Sequence, residues 1–220
     1  MSFNLLSVDL TFLTTVISWV SIGVLAIVVI LLCLLSKKLT TKTLVLAGIC
    51  LALSFGLSLL KVSPVTNGGS ITLASMMPIM VFAAFYGFFP SVLVGIIFGL
   101  LQFVSGPWIL TPLTFVLDYI LAFASIGAVG LVKDLTDTNK ALFIGAPIAY
   151  LVRFLFHFAS GIIYFNMGAV WAELPTSTAV GYSFLYQVLY LVPDFIITYG
   201  VIIALLKTNT VKRLEAISNR

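Results

Sequence analysis

Residues 112–133, PLTFVLDYILAFASIGAVGLVK, decide the fold. A bilayer core of about 30 Å asks for about 20 apolar residues in a helix, and this run meets the requirement while carrying one carboxylate, Asp118, inside it. A charge at a helix centre costs roughly 2.5–3.5 kcal/mol on insertion scales, so an ionisable residue there is a functional hypothesis by default. Three more sit in later apolar runs: Arg153, His157 and Asp194. The rest of the chain agrees, since 61% of its 220 residues are hydrophobic and 8% charged, with a mean hydropathy of +1.23. A soluble domain has about 25% charged residues. The fold class is all-α, a polytopic membrane helix bundle, with no stretch polar and long enough to form an aqueous domain.

Working outward from that run, seven candidate spans appear: 11–36, 43–60, 71–87, 90–105, 112–133, 141–167 and 181–206. Turn-forming or charged stretches separate them, among them KVSPVTNGGS at 61–70, GFFP at 87–90, SGP at 105–107 and KDLTDTNK at 133–140. The division predicts an N-terminal anchor helix within 1–38, a six-helix membrane domain at 39–208 and a cytoplasmic tail at 209–220. The first run is too long for a secretory signal and lacks a basic leader, so it is read as retained. Lys37, Lys38, Lys42, Lys133, Lys140, Lys207, Lys212, Arg213 and Arg220 then fall on one side, and Asp9, Lys61 and Glu173 on the other. By the positive-inside rule the N-terminus is outside and the C-terminus cytoplasmic, as in a multi-pass plasma-membrane protein.

Several classes drop out. The net charge of +4 comes from basic residues scattered at helix ends and not from a stripe, which disfavours nucleic acid and leaves membrane lipid as the surrounding partner. Cys33 and Cys50 fall within apolar runs and make neither a disulfide framework nor a metal site. His157 is the chain's lone histidine, so no multi-histidine metal site is expected. The sequence has no phosphate-binding loop ending in Gly-Lys-Ser or Gly-Lys-Thr, so any nucleotide hydrolysis belongs to another protein. No nucleophile and base stand at a useful spacing, and the reading is a non-enzyme with no cofactor.

Depth follows from a rise of 1.5 Å per residue. Asp118 and Tyr119 lie about two turns from the outer end of their span, and His157 about ten residues from the outer end of an antiparallel neighbour. They converge in the outer half, where Gln102, Trp108, Tyr182 and Gln187 also belong. The inner half is nearly all apolar, which points to a cup opening outward and not to a channel lined along its length. Asp118 either braces its own helix or serves as counter-charge for a cation. His157 either touches a ligand or is a buried histidine satisfied by a carbonyl. Arg153 lies one turn from His157 on the same face, and a structural ion pair with Asp194 is expected. Trp108, Tyr164, Phe165, Trp171 and Tyr182 fit an interfacial belt or a cage for a flat cation. Gly48, Ala52 and Gly56 form a small-residue ridge for close approach, within the bundle or against another membrane subunit, while Gly87, Gly95 and Gly99 are expected to pack internally.

The order ITLASMMPIMVFAAFYGFFPSVLVGIIFGLLQFVSGP, LTPLTFVLDYILAFASIGAVGL, RFLFHFASGIIYF and GYSFLYQ resembles the thiamine-specific substrate-binding (S) components of energy-coupling factor (ECF) vitamin transporters. The similarity runs from about residue 43 to 206, with LDY and HFxxGIIxF its specific parts. It implies a six-helix bundle that captures thiamine near the outer face and works with a shared ECF transmembrane coupling subunit and two ATPase subunits. It implies that Asp118 and Tyr119 face the charged ring, that His157 contacts it, and that Gly161 leaves room for the ligand. Phe165 stands at a stacking position, Arg153 at a basic one, Trp108 near a loop aromatic, and Tyr182 and Gln187 where the aminopyrimidine edge is read. The first span is an addition to the six-helix pattern. Rival readings are an S component for another vitamin, a stand-alone secondary transporter using Arg153, His157 and Asp194 as a proton relay, or a non-transporting structural subunit.

Overall fold

The computed structural model describes residues 39–63, 69–106, 108–170 and 174–218, together with the helical residues Trp19, Gly23 and Ile30. The expected anchor helix otherwise lies outside the described residues, as does Trp171.

Helix α1 (Thr41–Leu59) opens on Thr40, whose hydroxyl accepts from the Thr43 N–H at 3.2 Å. A two-stranded antiparallel hairpin follows, β1 (Lys61–Val62) against β2 (Ile71–Thr72), with Lys61 opposite Thr72. The expectation of one span over 71–87 fails here, because helix α2 begins only at Met77 and ends at Tyr86. Ala74 takes a left-handed φ of 54°, and Pro78 near the start of α2 starts a helix there without losing a bond. Ten residues rise about 15 Å, half a bilayer core. α2 is therefore a core element, buried at every position from Pro78 to Ala84 and surrounded by its neighbours.

Gly87 joins α2 to α3 (Phe88–Ser105) at a φ of 79°, a conformation that costs a residue without Cβ nothing. The start of α3 is capped from elsewhere: the Phe88 N–H donates to the Asp134 carboxylate at 3.0 Å. Helix α4 (Pro112–Leu135) opens with a reciprocal Thr111–Thr114 capping box, contains a π-helical turn over Val116–Leu121 and tightens into a three-residue hydrogen-bonded turn at 125–126. As expected, Gly95 and Gly99 pack internally. A methyl group on Gly99 would run into the Tyr119 carbonyl, so α3 and α4 approach backbone to backbone.

Helices α5 (Thr138–Asn166) and α6 (Ala179–Lys207) form the longest antiparallel pair. Asp137 caps α5 by accepting from the Lys140 N–H at 2.9 Å. That bond, followed by the Lys140 ammonium, holds its exposed carboxyl below the usual carboxylate range. Pro147 deprives the Phe143 carbonyl of its helical donor, and the Tyr199 hydroxyl of α6 donates to that oxygen at 3.0 Å. Non-helical partners of this kind let proline sit inside a spanning helix. Among the described residues, α1, α3, α4, α5 and α6 are long and apolar enough to cross a membrane.

The segment after residue 208 is more than a loose tail: α7 (Thr210–Ser218) buries Val211 completely. Its Glu215 accepts from the Thr138 hydroxyl at 2.5 Å and from the Lys133 ammonium at 3.5 Å, which ties it to the adjoining ends of α4 and α5. The small-residue ridge of α1 is turned the other way from the bundle. Gly48, Ala52 and Gly56 are exposed, and no described atom lies within 4 Å of a Cβ at either glycine. Internal packing of that ridge is thus ruled out among the described residues, because α1 turns Thr43, Ala47, Ser54 and Ser58 inward instead.

Candidate functional site

The π-helical turn of α4 sets the site. Such a turn adds a residue to one helical circuit and re-aims the side chains that follow, a distortion common at functional sites. Asp118 and Tyr119 lie in it, and both line a cavity of about 150 Å³ at one end of the bundle. The C-terminal half of α3, the N-terminal half of α4, the C-terminal half of α5, the N-terminal half of α6 and the hairpin supply its walls.

Asp118 is doubly held. One carboxylate oxygen is 2.8 Å from His157 Nδ1, and the other accepts from the Ser160 hydroxyl at 2.6 Å. On the far side of the imidazole, Arg153 Nε donates to His157 Nε2 at 3.3 Å. A guanidinium only donates, so Nε2 must accept and the ring proton sits on Nδ1, pointing at Asp118. The imidazole is neutral in this arrangement, which leaves the carboxylate and the Arg153 guanidinium as the charged groups on this wall. Arg153 is itself fastened below: Nη1 lies 2.6 Å from Met76 Sδ and 3.7 Å from Asp194 Oδ2, with the guanidinium carbon 4.6 Å from the Phe123 ring centre. The expected Arg153–Asp194 pair is therefore present. Asp194, 2% exposed, stands behind the wall and accepts from the Thr72 N–H at 2.8 Å, the Thr72 hydroxyl at 2.7 Å and the Tyr150 hydroxyl at 2.7 Å.

α6 presents Tyr182, Tyr186, Gln187 and Tyr190 as one stripe into the cavity. The Gln187 amide nitrogen donates to the His157 carbonyl at 3.0 Å, which fixes the amide's orientation, and its Oε1 is buried with no partner. Gln102 on α3 likewise has a buried, unpartnered amide nitrogen. These two groups leave one acceptor and one donor unfilled in the wall. At the mouth, the Trp108 N–H donates to the Tyr119 hydroxyl at 2.8 Å, and the Tyr164 hydroxyl donates to the Trp108 carbonyl at 3.1 Å. The Gly69 N–H donates to the Tyr186 hydroxyl at 3.0 Å, and Gly69 and Ser70 line the cavity beside β2.

Of the residues singled out from the sequence, Trp108, Asp118, Tyr119, Arg153, His157, Gly161, Tyr182 and Gln187 all line the cavity. Phe165 does not. It lies about 80° around α5 from His157 and packs on Tyr182 from behind, with ring centres 5.3 Å apart. Tyr164, about 20° from His157 on the same count, takes the wall position. Gly161 lines the cavity where α5 meets α6. A Cβ there would strike the Ser183 hydroxyl and approach the Gln187 amide, so the missing side chain makes room for α6 beside the cavity. Ser160, Tyr186 and Tyr190 were not singled out from the sequence, although the spacing 153, 157, 160, 161, 164 traces one helical face that a phase count from His157 recovers.

A bundle of spanning helices that encloses a cavity with one carboxylate, several aromatic rings and unfilled polar groups defines a multi-pass membrane protein with an internal small-molecule site. The model of the thiamine transporter protein family (Thia_YuaJ) matches residues 44–214, and the chain belongs to that family. Thiamine transporter ThiT of Bacillus subtilis (strain 168) is 32% identical over 64% of this chain and 77% of its own length. The structure of ThiT from Listeria monocytogenes, obtained by native-SAD phasing, superposes with a TM-score of 0.63 at 23% identity. It covers 76% of this chain and 93% of its own, and it shares the fold. The family is one of transporters, and the chain is not an enzyme.

Proposed function

We propose that this chain is the thiamine-capturing S component of an ECF-type importer. Thiamine joins a permanently cationic, flat thiazolium to an aminopyrimidine that offers an exocyclic N–H donor and ring-nitrogen acceptors. In this reading Asp118 faces the thiazolium, and His157, Tyr119 and Tyr164 form flat walls beside it. Gln187 Oε1 accepts from the exocyclic amine, and the Gln102 amide donates to a ring nitrogen, with Tyr182 and Trp108 closing the outer side. The observation that carries the proposal is Asp118: a carboxylate on the wall of an aromatic cavity, held in place by the His157 ring nitrogen and the Ser160 hydroxyl.

The outer placement of the cavity, with the N-terminus outside and the C-terminus cytoplasmic, rests on the lysine and arginine distribution. Coupling to a shared transmembrane subunit and two ATPases is proposed from the resemblance of residues 43 to 206 to ECF S components. The test is titration of the purified full chain with thiamine, beside riboflavin and biotin, followed by co-purification with tagged coupling subunits with and without residues 1–38. Saturable binding of thiamine alone and recovery of the coupling subunit are expected. A preference for a neutral or anionic vitamin would overturn the ligand assignment, and uptake into vesicles without any ATPase would overturn the coupling.

A further inference from the structure

Asp194 does not line the cavity, yet it sits against the guanidinium that does. Among the described residues, the ionisable groups lining the cavity besides its tyrosines are Lys61, Asp118, Arg153 and His157. Lys61 is exposed on β1 and screened by solvent, and the hydrogen-bond pattern leaves His157 neutral. That leaves one carboxylate and one guanidinium on the buried wall, which sum to zero. The guanidinium's positive charge offsets part of the attraction that the carboxylate offers a cation.

We infer that Asp194 is a positioning residue for cation selectivity: by neutralising Arg153 from behind, it leaves the charge of Asp118 uncancelled inside the cavity. The geometry fits this division of labour. Asp194 Oδ2 lies 3.7 Å from Arg153 Nη1, while Arg153 Nε is spent on His157. The carboxylate accepts from three donors, two from Thr72 and one from Tyr150, which hold it in place beside the guanidinium. Arg153 then serves two ends at once. It locks the His157 tautomer that orients Asp118, and it contributes no net positive charge to the ligand's surroundings. Removing the Asp194 charge would set the Arg153 charge against the bound cation. The change equals the lost attraction between Asp194 and the cation, which at about 8–10 Å and an effective dielectric constant of about 20 amounts to a loss of tenfold or more in affinity.

The inference rests on the thiamine reading above, and the parent protein tests that reading separately by binding thiamine or not. The measured quantity is a ratio, the Kd of a neutral thiamine analogue with an uncharged ring in place of the thiazolium, divided by the Kd of thiamine, for the full chain in detergent. Asp194→Asn is expected to narrow this ratio by about tenfold or more, with the neutral analogue's Kd within about threefold of the parent's. Arg153→Gln is expected to widen the ratio. Glutamine carries an amide N–H at the chain position of the arginine Nε, so the bond to His157 survives while the charge goes. The double variant should return the ratio to within about threefold of the parent's. A purely structural Asp194 would instead weaken both ligands together, and that result, or an unchanged ratio, overturns the inference. Should Asp194→Asn fail to fold, Arg153→Gln decides alone: a widened ratio supports the assignment, and an unchanged or narrowed one refutes it.

Discussion

Replacing Asp118 by asparagine removes one charge and almost no volume, which makes it the cleanest perturbation of the proposed cation site. Asparagine Oδ1 can still accept from His157 Nδ1, and the Ser160 hydroxyl can turn to accept from the new amide, so the local scaffold should hold. The Asp118 side chain is 16% exposed, which places its interaction with a cation nearer to a buried pair than to a surface one. For a thiazolium about 4–5 Å away, an effective dielectric constant of 20–40 gives about 2–4 kcal/mol. That is a loss of roughly thirtyfold to a thousandfold in affinity. Isothermal titration, or quenching of intrinsic fluorescence, in the same detergent as the parent would read it. A loss smaller than about threefold in a folded variant would mean that the carboxylate does not hold the ligand's charge, and the electrostatic account would fail with it.

Other consequences follow from the same structure. Gly161→Ala should destabilise the α5–α6 contact by about 1–3 kcal/mol, seen as a lower Tm, and Ser183→Ala should restore most of it because the clash is with the Ser183 hydroxyl. Deleting residues 210–220 removes the Val211 contact and the Glu215 bonds to Lys133 and Thr138. It should lower Tm while leaving the thiamine Kd within about twofold, since the cavity is at the other end of the bundle. Asp134→Ala should cost about 0.5–2 kcal/mol through the lost cap on Phe88, again in Tm and not in affinity. For topology, a cysteine placed at Thr176 should react with an impermeant maleimide from outside intact cells, whereas one at Asn139 should react only after permeabilisation.

Apolar length carried most of the architecture from the sequence. The runs at 43–60, 112–133, 141–167 and 181–206 became α1, α4, α5 and α6 to within a few residues, because a spanning helix must satisfy its own backbone whatever its neighbours do. The run at 71–87 misled for the same reason. Its hydrophobicity comes from burial inside protein, and the strand and turn at 71–76 are held by Asp194 and by neighbouring backbone, which no hydropathy count registers. The meeting of Asp118 with His157 and the Arg153–Asp194 pair were legible because a buried charge needs a partner and few were available. The π-helical turn that delivers Asp118 was not, since its extra residue depends on packing against α3 and α5. Phe165 and Tyr164 differ by one residue, and only the helical phase set by His157 tells which one faces the cavity. The outward ridge of Gly48, Ala52 and Gly56 was ambiguous in sequence, as small residues permit close approach without naming the partner.

A structure of the full chain with thiamine bound bears most directly on the central claim. The account predicts one molecule inside the cavity, its thiazolium beside Asp118 and its aminopyrimidine edge on Gln187 Oε1. A thiamine found elsewhere, or one in the cavity with its charged ring turned away from Asp118, would contradict it.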